Sequence, residues 1–196
     1  WTMFEKRLSH PLKKIPADYI AGEELKIGMF VTIDHKTKEV KKAATADKVQ
    51  GIVIRGSKVS FRNALGIPES IFDEYQATLP KGIKVGVFPF EEAERFATDV
   101  VDTTIKTVLD DTQKTLAQKR TALIGKELTV VNGVLKEATT GNTVLAVIHM
   151  VDSEGFNNRP MNTSGLLNSE GDNITDLYAM KEHFVISYTM VRPYTK

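Results

Sequence analysis

The feature that most constrains the fold of this 196-residue chain is a weak internal repeat of β-type patterns. Each copy reads as a strand, a hairpin turn, a second strand, a short polar link and a third strand, in residues 27–54 and again in residues 124–148. The turn of the second copy is Asn132-Gly133, a favoured type I′ sequence because both of its positions need positive φ. The first copy carries a longer turn, 35–38, at the same place. The repeat therefore predicts two related β-units.

The pattern as a whole predicts a mainly β protein whose duplicated units are of the β-barrel, β-tulip or sandwich type, with one α-helical insertion. An α+β fold is the alternative. The predicted segments are an extended N-terminal arm at 1–19, a first β-unit at 20–88, a helical insertion at 89–123, and a second β-unit at 124–196 that contains a long, turn-rich loop at 152–176.

The insertion is predicted as a helix that starts near Pro89. Acidic residues follow in the first turns, and apolar residues recur at helical spacing through 93–116. Gly125 is placed to end the helix. The segment 100–108 is rich in β-branched residues, so an extended conformation stays open there.

The net charge of +1 is unevenly distributed. Residues 1–62 carry 13 basic and 7 acidic side chains, whereas residues 63–112 carry 4 basic and 10 acidic ones. Two interpretations stay open: two ordinary solvated surfaces, or a polar molecule whose basic end meets an acidic neighbour during assembly. The basic residues are not interleaved with aromatic ones, so no nucleic-acid partner is predicted.

The sequence contains no recognisable pattern of catalytic residues. Cysteine is absent, which excludes disulfides and thiolate chemistry, and no phosphate-binding or nucleophile motif is present. The histidines are scattered, at His10, His35, His149 and His183. A calcium site around Glu170 and Asp172 is a minor alternative, since the spacing does not match a calcium loop. The sequence predicts no enzyme, cofactor, metal or membrane segment.

A resemblance to a known family covers residues 20–56 and, more faintly, 124–150. A glycine-containing lead-in at 21–28, a strand, a hairpin, a Lys-Ala-Thr stretch at 41–45 and then Gly51-Ile52-Val53 resemble the small β-domains of tailed-bacteriophage particles. These domains occur in capsid decoration (cement) proteins and in the capsid-binding parts of head fibres.

The resemblance implies a non-enzymatic virion protein, assembled in the host cytoplasm, that lies on capsid subunits, commonly as a trimer. It also implies that the arm clamps the shell. The implied contacts are the anchors Trp1, Phe4, Leu8, Leu12 and Ile15 and the basic residues Lys6, Arg7, Lys13 and Lys14. A terminus that is disordered or packed on its own domain is the alternative for these residues. A tail or receptor- and carbohydrate-binding module that uses loop 152–176 is the alternative function.

Overall fold

The computed structural model describes residues 4–8, 19–56, 60–62, 68–70, 78–154 and 183–196. The strands are β1 (Phe4–Leu8), β2 (Tyr19–Ala21), β3 (Phe30–Asp34), β4 (Glu39–Lys42), β5 (Gly51–Gly56), β6 (Ser60–Arg62), β7 (Pro68–Ser70), β8 (Lys84–Phe88), β9 (Arg95–Thr98), β10 (Glu127–Val131), β11 (Val134–Glu137), β12 (Thr143–Glu154) and β13 (His183–Thr195). The helices are α1 (Thr103–Asp110) and α2 (Leu116–Leu123). With 49% strand and 15% helix, the predicted mainly β fold is confirmed.

The first unit is a closed barrel of five strands in the order β2-β4-β3-β5-β8. Side chains alternate along these strands between the barrel interior and its outer face. The interior is filled by small and medium aliphatic residues, which suits a barrel of this size. The buried members of this cluster are Ala21, Leu25, Val31, Val40, Val53, Leu79, Val85 and Val87. Strands β6 and β7 form a separate two-stranded ribbon.

The second unit is a six-stranded sheet in the order β1-β9-β13-β12-β10-β11. A parallel bridge between Val101 and Leu135 links the segment after β9 to β11 at the far edge of the sheet. The backbone N–H of Asp102 donates to the Leu135 carbonyl at 2.8 Å, as the N–H of Gly22 donates to the Val40 carbonyl at 2.9 Å in the first unit. Each unit therefore uses an equivalent parallel contact. It joins β2 to β4 in the first unit, and the segment after β9 to β11 in the second.

The predicted repeat appears in the structure as strand pairing in the same register. Each unit has a central strand flanked by its second and third strands, all antiparallel, in the orders β4-β3-β5 and β11-β10-β12. The equivalent pairs are Val31–Lys42 and Leu128–Glu137 in the hairpins, and Val31–Gly51 and Leu128–Ala146 on the opposite edges.

The equivalence extends beyond the repeat that the sequence indicates. The pairing of β5 with β8 has a register shift between Val53 and Arg55, and that of β12 with β13 has one between Ile148 and Met150. A bulge changes the bend and twist of a strand, so the two units share a local distortion as well as a strand order. Strands β8 and β13 thus belong to the repeated unit.

The predicted helix from Pro89 is wrong in its first part, because β9 pairs antiparallel with both β1 and β13. Pairing on both edges outweighs a helical spacing that short apolar runs do not specify. The helical part is confirmed further along, as two helices and not one. Asp102 caps α1 by accepting from the Ile105 N–H at 3.1 Å, and Thr115 forms a capping box with Gln118 at the start of α2.

A shared core joins the two units. The outer face of the first barrel contributes Phe30, Ile52 and Phe88, which belong to the same buried cluster as Phe96 and Tyr188 of the second unit. The ring centroids of Phe88 and Phe96 lie 5.7 Å apart in an edge-to-face arrangement, and those of Phe30 and Tyr188 lie 6.4 Å apart. Such aromatic pairs contribute roughly 0.5–1.5 kcal/mol each beyond their buried area. Among the described residues, no helix is long and apolar enough to cross a membrane.

Candidate interaction site

Strand β1 lies at one edge of the six-stranded sheet of the second unit, and β11 lies at the other. Strand β1 pairs antiparallel with β9, with Phe4 opposite Thr98 and Glu5 opposite Ala97, and its register shifts between Lys6 and Leu8. Within the part of the chain that the structure describes, β9 is the strand to which β1 is hydrogen-bonded. Edge strands carry backbone donors and acceptors that can pair with another chain.

An aromatic contact anchors β1. The Phe4 ring stacks on Phe96 with centroids 5.4 Å apart and an interplanar angle of 22°, and Phe4 is half-buried against the shared core. Phe96 itself is fully buried and also contacts Tyr188, at 5.7 Å between ring centroids. Phe4 thus occupies a groove whose floor is Phe96.

A glycine makes room for the anchor. Gly28 has φ of +92°, and a Cβ added there would lie 3.1 Å from the Phe4 Cβ and 3.2 Å from the Thr98 Oγ1. Its counterpart in the second unit is Gly125, with φ of +86° and nothing within 4 Å of such a Cβ. The two N–H groups donate to equivalent carbonyls, Gly28 to Val53 at 2.7 Å and Gly125 to Ile148 at 2.8 Å. Both positions need glycine for the backbone, but only Gly28 is also crowded by the N-terminal strand.

The structure brings part of the predicted arm into the chain's own sheet. Phe4 packs on its own core, which corresponds to the self-packed alternative for this residue. Lys6, Arg7 and Leu8 lie in β1, and their part in partner binding stays a prediction. Four predicted anchors and basic residues after β1, and one before it, lie outside the described residues: Trp1, Leu12, Lys13, Lys14 and Ile15. Loop 152–176 also lies outside them, apart from its first three residues.

His149 lies at the β12 bulge of the second unit, where the first unit has Ile54. Its Nδ1 lies 3.0 Å from the Thr189 hydroxyl. Partial burial lowers the pKa of His149, and the nearby Arg95 lowers it further, while Asp152 opposes both effects. Among the residues that the structure describes, no set of three or more metal-ligating side chains includes this half-buried imidazole, and its hydrogen-bond partner is the Thr189 hydroxyl.

Lys119 is the most deeply buried basic residue of the described chain, with a 1% exposed surface. Its ammonium donates to the Leu109 carbonyl in the last turn of α1 and lies 3.9 Å from the centroid of the Phe184 ring. A cation near a helix C-terminus and over an aromatic face is stabilised by both. Lys119 thereby fixes α1, α2 and β13 to one another.

The described residues include a cavity beside α1 whose lining does not suggest catalysis. It is a shallow, open depression of about 440 Å³ along α1, lined by Thr103, Lys106, Thr107, Asp110 and Asp111. No group of three or more histidines, cysteines and carboxylates among the described residues is arranged to hold a metal ion. The side chains that line the depression are not arranged as a nucleophile, a base that activates it and a group that orients the base.

Comparison with known proteins adds no relative: no family model, curated protein or solved structure matches the chain significantly.

Sequence reasoning missed the groove under Phe4 because β9 was assigned to a helix. Gly28 was included in the repeat only as the residue before a strand. One signal is present in the sequence: Asp102 is a good helix N-cap, which marks a later start of the helix than Pro89.

Proposed function

We propose that this chain is a non-enzymatic structural protein of a tailed-bacteriophage particle, which binds the outer surface of the capsid. The observation that carries the proposal is the position of β1 at an edge of the six-stranded sheet: β1 is docked on β9 and anchored by Phe4, and no other described strand pairs with its opposite edge. Strand addition at such an edge gives affinity through main-chain hydrogen bonds without any pocket.

The resemblance at residues 20–56 and 124–150 supports the same proposal. These segments fall in corresponding parts of the two β-units, as β3, β4 and β5 and as β10, β11 and β12. Because specific interfaces bury about 1,200–2,000 Å² in total, a broad sheet-built surface suits this task better than a cleft.

The basic residues of β1 supply the electrostatic part of the proposed contact. Lys6 and Arg7 lie in the strand at the edge, in the part of the chain with the excess of positive charge. An acidic capsid surface would attract this end, and rim charges act mainly on the association rate and the salt dependence.

Co-sedimentation with purified phage capsids tests the proposal, with light scattering on the free chain to report its oligomeric state. The variant Lys6→Glu/Arg7→Glu is expected to weaken binding at least tenfold at low salt and less at high salt. The matched control is Lys36→Glu/Lys81→Glu, which makes the same charge change in two exposed turns. A wild-type chain that does not sediment with any capsid tested, or equal losses in both variants, would contradict the proposal.

A further inference from the structure

The repeated unit is complete without β1. The first unit closes its barrel with five strands, and each of its pairings has a counterpart in the second unit among β9, the Val101 bridge, β10, β11, β12 and β13. Strand β1 is a sixth member of the second sheet, and none of the described strands is its counterpart in the first barrel. It is therefore an added segment that docks on a finished module.

The acceptor for this segment is built from the module itself. It consists of the edge of β9 that pairs with β1, the Phe96 ring below the strand, and the space that Gly28 leaves for the Phe4 side chain. Thr98 closes one side, since its hydroxyl would lie 3.2 Å from a Cβ at Gly28. We call this set the β9 groove.

We propose that the β9 groove is a self-assembly site that receives residues 4–8 of a second copy of this chain. Every copy carries the same strand and the same groove, so exchange keeps the hydrogen bonds and the Phe4–Phe96 stack while it links two chains. The strand suits exchange because it is short, with five residues, and because among the described residues it pairs only with β9 and is anchored by the stack of Phe4 on Phe96. If two chains exchange their β1 strands with each other, they form a closed dimer. If each chain passes its β1 strand to the next chain, they form a closed ring.

This inference deepens the proposed function, because it names the contact between copies on the particle. It does not depend on capsid binding, however, and the exchange is measured without particles. A failure of exchange and a failure of capsid binding are therefore separate results.

Engineered cysteines give a direct test, because the chain has none of its own. Glu5 and Ala97 are opposite each other in the β1–β9 register, and directly opposite residues have Cβ atoms about 4.5–5.5 Å apart, close enough for a disulfide after a small adjustment. A Glu5→Cys chain and an Ala97→Cys chain, each with a different affinity tag, are co-expressed and oxidised, so that exchange can occur during folding.

The expected result is a disulfide-linked heterodimer that carries both tags and forms in most of the doubly purified material. The control pair is Glu5→Cys with Thr104→Cys, which places the second thiol at an exposed position of α1 away from the groove. That pair is expected to give at most a tenth as much cross-linked heterodimer. Adding Phe4→Ala to the Glu5→Cys chain should reduce the cross-link several-fold, because the anchor is lost.

A chain that carries Glu5→Cys and Ala97→Cys together keeps the proposal falsifiable if either single variant folds poorly. In this variant the disulfide forms within one chain when β1 pairs with β9 of its own chain, and between two chains when β1 is exchanged. Only intrachain cross-links in this variant, or equal heterodimer yields from the groove pair and the control pair, would overturn the proposal.

Discussion

The two β-units share their strand pairing but are completed in different ways. The first unit closes into a barrel filled by its own aliphatic side chains, whereas the second receives the outer face of the first, two helices and the N-terminal strand. The difference follows from outward-facing positions that are equivalent by register. These are Phe30, Ile52 and Phe88 in the first unit and Glu127, Val147 and Thr189 in the second.

One backbone pattern can therefore form a closed barrel that is covered on its outer face, or a platform on which other elements dock. Apolar residues on the outer face of the first unit give it two buried faces, and such strands must be covered on both sides. The second unit keeps polar or half-buried residues at the same places, so its outer face is compatible with solvent or a polar partner.

The largest expected effect comes from removing an aromatic ring between the units. Phe30 is fully buried and contacts Phe90, with ring centroids 5.9 Å apart, and Tyr188. Phe30→Ala should lower the free energy of unfolding by about 3–5 kcal/mol. Val31→Ala, at the next residue but facing the interior of the first barrel, should cost about 2 kcal/mol. Urea unfolding followed by circular dichroism measures both.

A shared core also predicts one cooperative transition for the wild-type chain. A smaller loss from Phe30→Ala than from Val31→Ala, or two separate transitions, would show that the units do not depend on each other.

The two equivalent glycines sharpen the comparison. Ala at Gly28 or Gly125 should cost about 1–2 kcal/mol from the left-handed backbone alone. Gly28→Ala should cost about 1 kcal/mol more than Gly125→Ala, because the new methyl group meets Phe4. The excess should shrink in a Phe4→Ala background, which a double-mutant cycle on thermal or urea unfolding measures. Equal costs in both backgrounds would mean that β1 does not lie against Gly28.

Both α-helices of the described chain belong to the helical insertion of the second unit, and their caps should each contribute to stability. Thr115→Ala removes the capping box of α2 and should cost about 1 kcal/mol of unfolding free energy. Thr104→Ala, at an exposed position of α1 with no capping role, should stay within about 0.5 kcal/mol of wild type. A cost for Thr104→Ala as large as that for Thr115→Ala would argue against the capping assignment.

The smallest expected effect is a pH dependence at the bulge. Burial and Arg95 lower the pKa of His149 in the folded chain, so the unfolded chain binds its proton more readily. The contribution to stability is complete above the unfolded pKa of about 6.5 and is lost as the pH falls from there through the lowered folded pKa. His149→Ile, which installs the residue type of the first unit, should flatten this part of the stability profile between pH 7.5 and 5.5. An unchanged profile in urea titrations would assign the dependence elsewhere.

The sequence was sufficient for the fold class and for the repeat because alternating residues and the Asn132-Gly133 turn are local signals. It was not sufficient for β9, since Phe96 and Thr98 are strand residues only through pairing with β13 and β1. Long-range pairing of this kind overrides local helical spacing. The groove under Phe4 was unpredictable for the same reason: Gly28 and Thr98 are far apart in sequence and come together only in the folded chain.

Hydrogen–deuterium exchange of the chain with and without purified capsids tests the central claim most directly, since it locates the contact on one unit or the other. We expect added protection in peptides that cover β1 and β9, with β3, β5 and β8 of the first barrel unchanged because their outward-facing Phe30, Ile52 and Phe88 already pack in the shared core. Protection confined to the first barrel, or an exchange pattern that capsids do not alter, would contradict it.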